Sequence, residues 1–235
     1  MSQTIVITGG SKGIGKALVV AFAGAGFDVI TCSRNPEDLQ KLKTDLTKNY
    51  PNVNLHTFSA DLSKKQEVIA FADFVKQTIS KVDVLINNTG YFLPGQIHNE
   101  AEGTLESMLA TNVHAAYHLT RLLLPDMMSR QTGHIFNICS TASITPYTNG
   151  GSYCISKFAL YGMTQVLREE LKPHGIKVTA VLPGATLTAS WEGTDLPESR
   201  FMKAEDIAKT ILAAYQLSAN TVIEEILLRP QLGDI

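Results

Sequence analysis

The sequence lacks what would tie it to an oxidising, membrane-bound or nucleic-acid-bound setting. It has three cysteines, Cys32, Cys139 and Cys154, an odd set without paired spacing. No disulfide framework follows from such a set, which suits free thiols in a reducing cytosol. Each lies among apolar or small residues, so packing is its expected role. Charge of one sign is also scarce: 20 Lys and Arg stand against 22 Asp and Glu, a net of -2. That balance gives no pull toward nucleic acid or an anionic membrane. No apolar run approaches the ~18 residues of a membrane span. Met1-Ser2-Gln3-Thr4 leads directly into strand-like Ile5-Val6-Ile7, without the basic stretch and apolar core of a signal peptide. A cytoplasmic location is expected. The six histidines show no metal-like spacing. His114 and His118 are one helical turn apart but have no third ligand nearby, so no metal is expected.

What is present is a large apolar fraction. Hydrophobic residues make up 44% and charged residues 18%, enough to build a sizeable core and too apolar for a disordered chain. The length of 235 residues fits one α/β domain over 1–235. Strand-like and helix-like segments alternate along it. Strands are expected at Ile5–Thr8, Val29–Cys32, Val53–Phe58, Val82–Ile86, His134–Cys139, Val178–Leu182 and Val222–Leu228. Helices are expected at Lys16–Gly24, Pro36–Lys48, Lys64–Ser80, Leu105–Met128 with a break or bend near Pro125, Ser152–Lys172, and Ala204–Leu217 capped by Asn220. Such alternation implies a doubly wound Rossmann fold: a mostly parallel seven-stranded sheet with helices on both faces. The least regular stretch, 186–201, reads as a substrate loop.

The first strand runs into Thr8-Gly9-Gly10-Ser11-Lys12-Gly13-Ile14-Gly15. Glycines between a strand and a helix permit a tight turn and close approach to a pyrophosphate, and the helix start adds free N–H groups and partial positive charge. The end of the second strand selects the dinucleotide. An acid there holds a free ribose 2′-hydroxyl and repels a 2′-phosphate. This chain has Thr31-Cys32-Ser33-Arg34 instead. Arg34 offers a planar bidentate contact to phosphate, and Lys12 a second cation, so NADP(H) is expected over NAD(H).

Tyr153-Cys154-Ile155-Ser156-Lys157 lies near a helix start, and a spacing of four puts Tyr153 and Lys157 on one face. A free tyrosine at pH 7 is ~3 units below its pKa, a gap of about 4 kcal/mol. One cation ~4 Å away at an effective dielectric of ~20 is worth about 4 kcal/mol, the right size to bring a phenol into acid–base use. Ser140 follows the fifth strand, at the sheet edge where ligands bind in such folds.

With these residues in order, the chain resembles the short-chain dehydrogenase/reductase family along essentially its whole length. Thr8-Gly9-x-x-x-Gly13-x-Gly15 is similar to the family's cofactor loop, and Asp61-Leu62 to its adenine-contacting position. Asn87-Asn88-Thr89-Gly90 resembles its Asn-Asn-Ala-Gly motif, with Thr89 replacing alanine where it would crowd the adenosine ribose. Asn112, Ser140, Tyr153 and Lys157 match its catalytic tetrad. Pro183-Gly184 with Thr186 and Thr188 match its nicotinamide-side segment.

The resemblance implies that Tyr153 exchanges a proton with the substrate oxygen and that Ser140 hydrogen-bonds that oxygen. It implies that Lys157 tunes Tyr153 and holds the nicotinamide ribose, and that Asn112 stabilises a water chain behind Lys157. Asn88 and Gly90 fall to the cofactor side. Phe92, Tyr147 and Trp191 are candidates for pocket lining or for ordinary packing.

The implied activity is hydride transfer to or from a small carbonyl or alcohol. A 3-oxoacyl thioester and a small ketone or pteridine both remain open as substrates. The segments 183–191 and 224–230 look like bacterial sepiapterin-reductase-like members. A non-catalytic NADP(H) sensor or scaffold is the alternative from another class. The family's use of the helices at 105–128 and 152–172 as interfaces implies a homodimer or homotetramer.

Overall fold

The computed structural model describes residues 2–188, 191 and 193–235. Its strands are β1 (Thr4–Thr8), β2 (Asp28–Ser33), β3 (Leu55–Ser59), β4 (Val84–Asn87), β5 (Gly133–Ile138), β6 (Ile176–Pro183) and β7 (Glu225–Leu228). They form one seven-stranded sheet in the order β3-β2-β1-β4-β5-β6-β7. Every neighbouring pair is parallel. Strand order reverses between β1 and β4, which opens a crevice at the carboxyl edge of the sheet.

The helices are α1 (Gly13–Gly24), α2 (Pro36–Asn49), α3 (Lys65–Thr78), α4 (Thr104–Leu109), α5 (Ala115–Arg130), α6 (Gly151–Leu171) and α7 (Ala204–Tyr215). Alternate residues of each strand point to opposite faces. Ile5, Ile7, Val84, Ile86 and Phe136 pack with Phe22 of α1, Leu42 and Leu46 of α2, and Ile207 and Ile211 of α7. Val6, Ile30, Leu85 and Ile135 pack on the other side with Phe71 and Val75 of α3, Leu119 and Leu123 of α5, and Leu171 of α6. The expected Rossmann architecture is present, and its sheet is parallel throughout.

Three local expectations are corrected. The break expected near Pro125 lies earlier, in a π-helical turn at Ala110–His114 between α4 and α5. The chain stays helical through Pro125 because Leu119, Leu123 and Met127 bury the same face on both sides of it. Asn220 does not cap the last helix, which ends at Tyr215 with Gln216 beyond it. The last strand starts at Glu225, since only Glu225–Leu228 pair with β6.

All three cysteines are buried and unpaired. Burial pushes Cys32 up to about 12 and Cys139 up to about 11, so both are thiols at neutral pH. Among the described residues no cluster of three or more metal-ligating side chains occurs. Among them, no helix is long and apolar enough to cross a membrane.

Candidate active site

The four residues matched to the family tetrad meet at the carboxyl edge of β4 and β5. Ser140 stands just past β5 and is buried. Its Oγ accepts from the Ala142 N–H at 3.1 Å, and its own N–H donates to Ser143 Oγ at 3.2 Å. An accepting Oγ keeps its proton for another partner. Tyr153 and Lys157 lie one turn apart on α6, with Lys157 Nζ 5.7 Å from the Tyr153 ring centroid. Lys157 is buried, and its ammonium donates to the Ile138 carbonyl at 2.8 Å. An ammonium has three protons, so that bond aims the group and leaves further donors.

Asn112 sits in the π turn, whose wider winding commonly marks functional positions. Its Oδ1 accepts from the Tyr91 N–H at 2.9 Å, and its Nδ2 donates to the Tyr91 carbonyl at 3.0 Å. Nδ2 also donates to Ser156 Oγ at 3.0 Å, and Ser156 donates to the Tyr153 carbonyl at 2.8 Å. Asn112 therefore ties three segments together: the chain after β4, the π turn and α6. Gly90 lies in the same knot, where a Cβ would stand 3.2 Å from Asn112 Oδ1.

The glycine-rich loop fits a dinucleotide. A Cβ on Gly15 would fall 2.1 Å from the Gly9 carbonyl, so only glycine lets α1 start this close to β1. Gly13 faces Thr188, whose Cγ2 would be 3.1 Å from a Cβ there, which brings Thr188 to the loop. The first turn of α1 contains no acidic residue, and Lys12 before it makes no side-chain cap. No side-chain cap or first-turn carboxylate therefore competes for its first N–H groups, as an anion site requires.

Ser11 Oγ donates to Ser33 Oγ at 2.8 Å. Arg34 is exposed just past β2. Lys12 pairs with Asp38 at 2.9 Å, so its charge is directed toward the start of α2. Two hydroxyls and two cations around the end of β2 match the chemistry of a 2′-phosphate.

The remaining sequence candidates divide. Asn88 spends its amide on structure, donating to the Thr8 carbonyl at 2.8 Å and the Gly9 carbonyl at 3.2 Å. Asp61 stands past β3, where partial burial pushes its carboxyl up. Hydrogen bonds from Ser63, with Lys64 and Arg34 nearby, outweigh this and hold it below the usual range. Leu62 is buried in the core, so only its backbone faces outward. Ile14 packs on the core of the α1 face. Pro183 ends β6, the Gly184 N–H donates to the Leu228 carbonyl at 2.8 Å, and buried Thr186 donates to the Gly184 carbonyl at 3.0 Å. Thr89 rests against Gly9, with Oγ1 3.1 Å from where a Cβ on Gly9 would stand.

Phe92 packs edge-on against the Tyr153 ring at 4.9 Å, and Trp191 packs against Phe201 at 5.0 Å. Within the expected substrate loop, Ala189, Ser190 and Glu192 lie outside the described residues. Tyr147 lines a groove of about 560 Å³ with Ile97, Cys154, Ile155 and Phe158. At about 100° per residue Ile155 and Phe158 face away from Tyr153 and Lys157, while Cys154 lies at the side between the two faces. Ser143 and Ser156 were not singled out by the sequence. The signal for Ser156 was its place between Tyr153 and Lys157.

A family model described as short chain dehydrogenase matches residues 3–198. A sepiapterin reductase of Chlorobaculum tepidum is 31% identical over 243 residues, covering 100% of this chain and 99% of its own. A metagenomic short-chain oxidoreductase solved in complex with NADP is 29% identical with a TM-score of 0.85, covering 97% of each chain. An alcohol dehydrogenase of Thermococcus sibiricus, complexed with 5-hydroxy-NADP, shares the fold at a TM-score of 0.91 and 24% identity, covering 98% of this chain and 97% of its own. The chain belongs to the short-chain dehydrogenase/reductase family and is an NAD(P)-binding oxidoreductase.

Proposed function

We propose that this protein is an NADP(H)-dependent reductase of small carbonyl compounds, with Tyr153 as the general acid and base. The observation that carries the reading is the convergence of Ser140, Tyr153 and Lys157 beside the glycine loop, with Asn112 fastening the segments behind them. When bound, the nicotinamide dinucleotide supplies or accepts the hydride. The Ser140 hydroxyl, whose Oγ already accepts from Ala142, keeps its proton to polarise a substrate oxygen. Tyr153 gives that oxygen a proton in reduction and removes one in oxidation. Lys157, aimed by the Ile138 carbonyl, places positive charge beside Tyr153 and would hold the nicotinamide ribose.

NADP(H) is favoured by Arg34, Lys12 and the absence of an acid at Ser33. The relatives solved with NADP support the same choice. The full-length likeness to a sepiapterin reductase favours a small ketone or pteridine over a 3-oxoacyl thioester. We also propose a homo-oligomer built on α5 and α6, working in the cytoplasm.

Turnover of a panel containing butanedione, a pteridine ketone and a 3-oxoacyl thioester, followed by NADPH absorbance, tests the substrate class. Tyr153→Phe removes one hydroxyl and keeps the ring, so the fold and NADPH binding should survive. Turnover should fall by at least the ~10²–10⁴-fold of lost acid–base catalysis. Lys157→Met should lower turnover and weaken NADPH binding together, whereas Ser140→Ala should lower turnover alone. Native turnover in Tyr153→Phe would sink the mechanism. Loss of every carbonyl activity with intact NADPH binding in the native protein would favour the sensor reading.

A further inference from the structure

The helix that carries Tyr153 and Lys157 starts without help from its own sequence. Gly150 precedes it and offers no side-chain cap, and no acidic residue stands in its first turn. A helix start leaves N–H groups without intrahelical acceptors, and a carboxylate there is favoured both as an acceptor and by the helix dipole.

That carboxylate arrives from elsewhere in the chain, on the connection between β4 and α4. Glu100 Oε1 accepts from the Ser152 N–H at 2.9 Å, and Oε2 accepts from the Ser152 hydroxyl. The same connection is fastened to the approach of α6 at two more points. The Gly95 N–H donates to the Asn149 carbonyl at 3.0 Å, and Gln96 Nε2 donates to Asn149 Oδ1 at 2.8 Å. The Glu100 N–H closes the loop on the Gln96 carbonyl at 2.9 Å. Gly151 is shaped to this arrangement. Its φ is +23°, and a Cβ there would stand 2.0 Å from Glu100 Oε1. A side chain at position 151 and the carboxylate of Glu100 exclude each other. Among the described residues no lysine or arginine pairs with Glu100, so its acceptors are directed at Ser152.

We propose that Glu100 is a positioning residue: it caps the catalytic helix from the substrate-side connection and fixes the backbone from which Tyr153 projects. Ser152 immediately precedes Tyr153, so its two bonds act on the turn that aims the phenol. The connection that delivers Glu100 also presents Phe92 edge-on to the Tyr153 ring. One carboxylate thus couples the substrate side of the cleft to the proton donor. Lys157 lies a turn deeper and is held independently by the Ile138 carbonyl. Loss of Glu100 therefore acts on turnover and spares the cofactor side. The inference rests on the reading of Tyr153 as proton donor.

The test compares Glu100→Ala, Glu100→Gln and Ser152→Ala with the native protein, using butanedione and NADPH. Glu100→Ala should lower kcat about 10- to 100-fold, the scale of an ångström-sized misplacement of a reacting group. The Kd for NADPH should stay within about twofold, as for a distant, uncoupled site. Glu100→Gln keeps an acceptor for the Ser152 N–H and offers a donor to its hydroxyl, so kcat should recover to within about threefold. Ser152→Ala removes half of the clamp and should cost about three- to tenfold in kcat. If Glu100→Ala does not fold, the other two variants decide the matter by the same kcat-against-Kd split.

Amide hydrogen exchange supplies a readout independent of turnover. Exchange at Ser152 and Tyr153 should quicken in Glu100→Ala, with Leu160–Leu171 unchanged. Native exchange at Ser152 in that variant overturns the clamp. Quickened exchange with native kcat overturns its positioning role. NADPH affinity falling in step with kcat overturns it in favour of general loosening. A native protein that reduces no ketone refutes the functional reading instead, and the exchange measurement then still decides the clamp.

Discussion

His134, on an interior strand of the sheet, is a residue from which a stability profile can be argued. It is buried on β5, stacked on Phe136, with Nε2 2.8 Å from Thr179 Oγ1. Thr179 spends its own proton on the Ile223 carbonyl at 2.6 Å, so Nε2 must be the donor and Nδ1 the bare acceptor. Among the described residues Nδ1 has no partner. Burial, with Lys177 adding to it, lowers His134 to about 3. An unfolded histidine titrates near ~6.5, so between these values the unfolded chain binds the extra proton. The neutral ring therefore contributes stability that is fully present above the unfolded value and is lost as pH falls toward 3. The slope is at most about 1.4 kcal/mol per pH unit. His134→Gln retains an amide donor for Thr179 and cannot titrate. Urea unfolding at pH 7 and pH 4.5 should show the native protein losing roughly 2–3 kcal/mol more than this variant. Equal losses in both proteins would remove His134 from the acid-sensitive set.

At the scale of elements, the cofactor choice proposed above rests on the junction of β1, β2 and α2. Ser11 reaches Ser33 across the strand ends, Lys12 is moored to Asp38, and Arg34 stands exposed beside them. A Lys12 held by Asp38 must share its charge, so Arg34 carries the larger part of any 2′-phosphate contact. Binding titrations should show NADPH held more tightly than NADH, and Arg34→Glu should reverse the order. The lost charge-assisted bonds are worth roughly 1.5–3 kcal/mol, about ten- to a hundredfold in Kd. Equal native affinity for the two cofactors would sink this assignment.

The same scale shows what the sequence could and could not reveal. The places of Gly15, Arg34, Tyr153 and Lys157 in the fold were legible because each stands at a fixed offset from a strand or helix end. The π turn was not legible. It follows from Asn112 bonding to Tyr91 and Ser156, both distant in sequence, whereas Pro125 gives a strong local signal that packing of α5 overrides. Glu100 was hidden for the same reason, since a cap supplied from 52 residues away leaves no pattern near the helix it caps.

The proposed assembly belongs to the scale of the whole molecule, and α6 carries an exposed apolar stripe on which it would rest. Scattered exposed apolar side chains are ordinary, but a continuous stripe along one helix is not. Ile155 is 39% exposed, Phe158 43% and Val166 56%, and all three fall on the side of α6 opposite Tyr153 and Lys157. Exposed Ala159 lies on the same stripe, as does Gly162, where a Cβ would meet nothing within 4 Å. Two copies of this face can therefore approach closely. With 21 residues, α6 is roughly 31 Å long, enough to pair with a second α6 about a two-fold axis. Tyr117 of α5, 43% exposed, adds apolar surface from the same helical layer. Such pairing would also cover the groove beside Cys154 and brace the helix that projects Tyr153. Light scattering at micromolar concentration should give a dimer or tetramer of the 25.6 kDa chain. Phe158→Glu places a charge in the seam of both partners at once, since a two-fold interface repeats every change. It should shift the protein to monomer at a concentration where the native form is assembled, with the far-UV spectrum unchanged. A native protein found only at 25.6 kDa would mean that the stripe serves some other purpose.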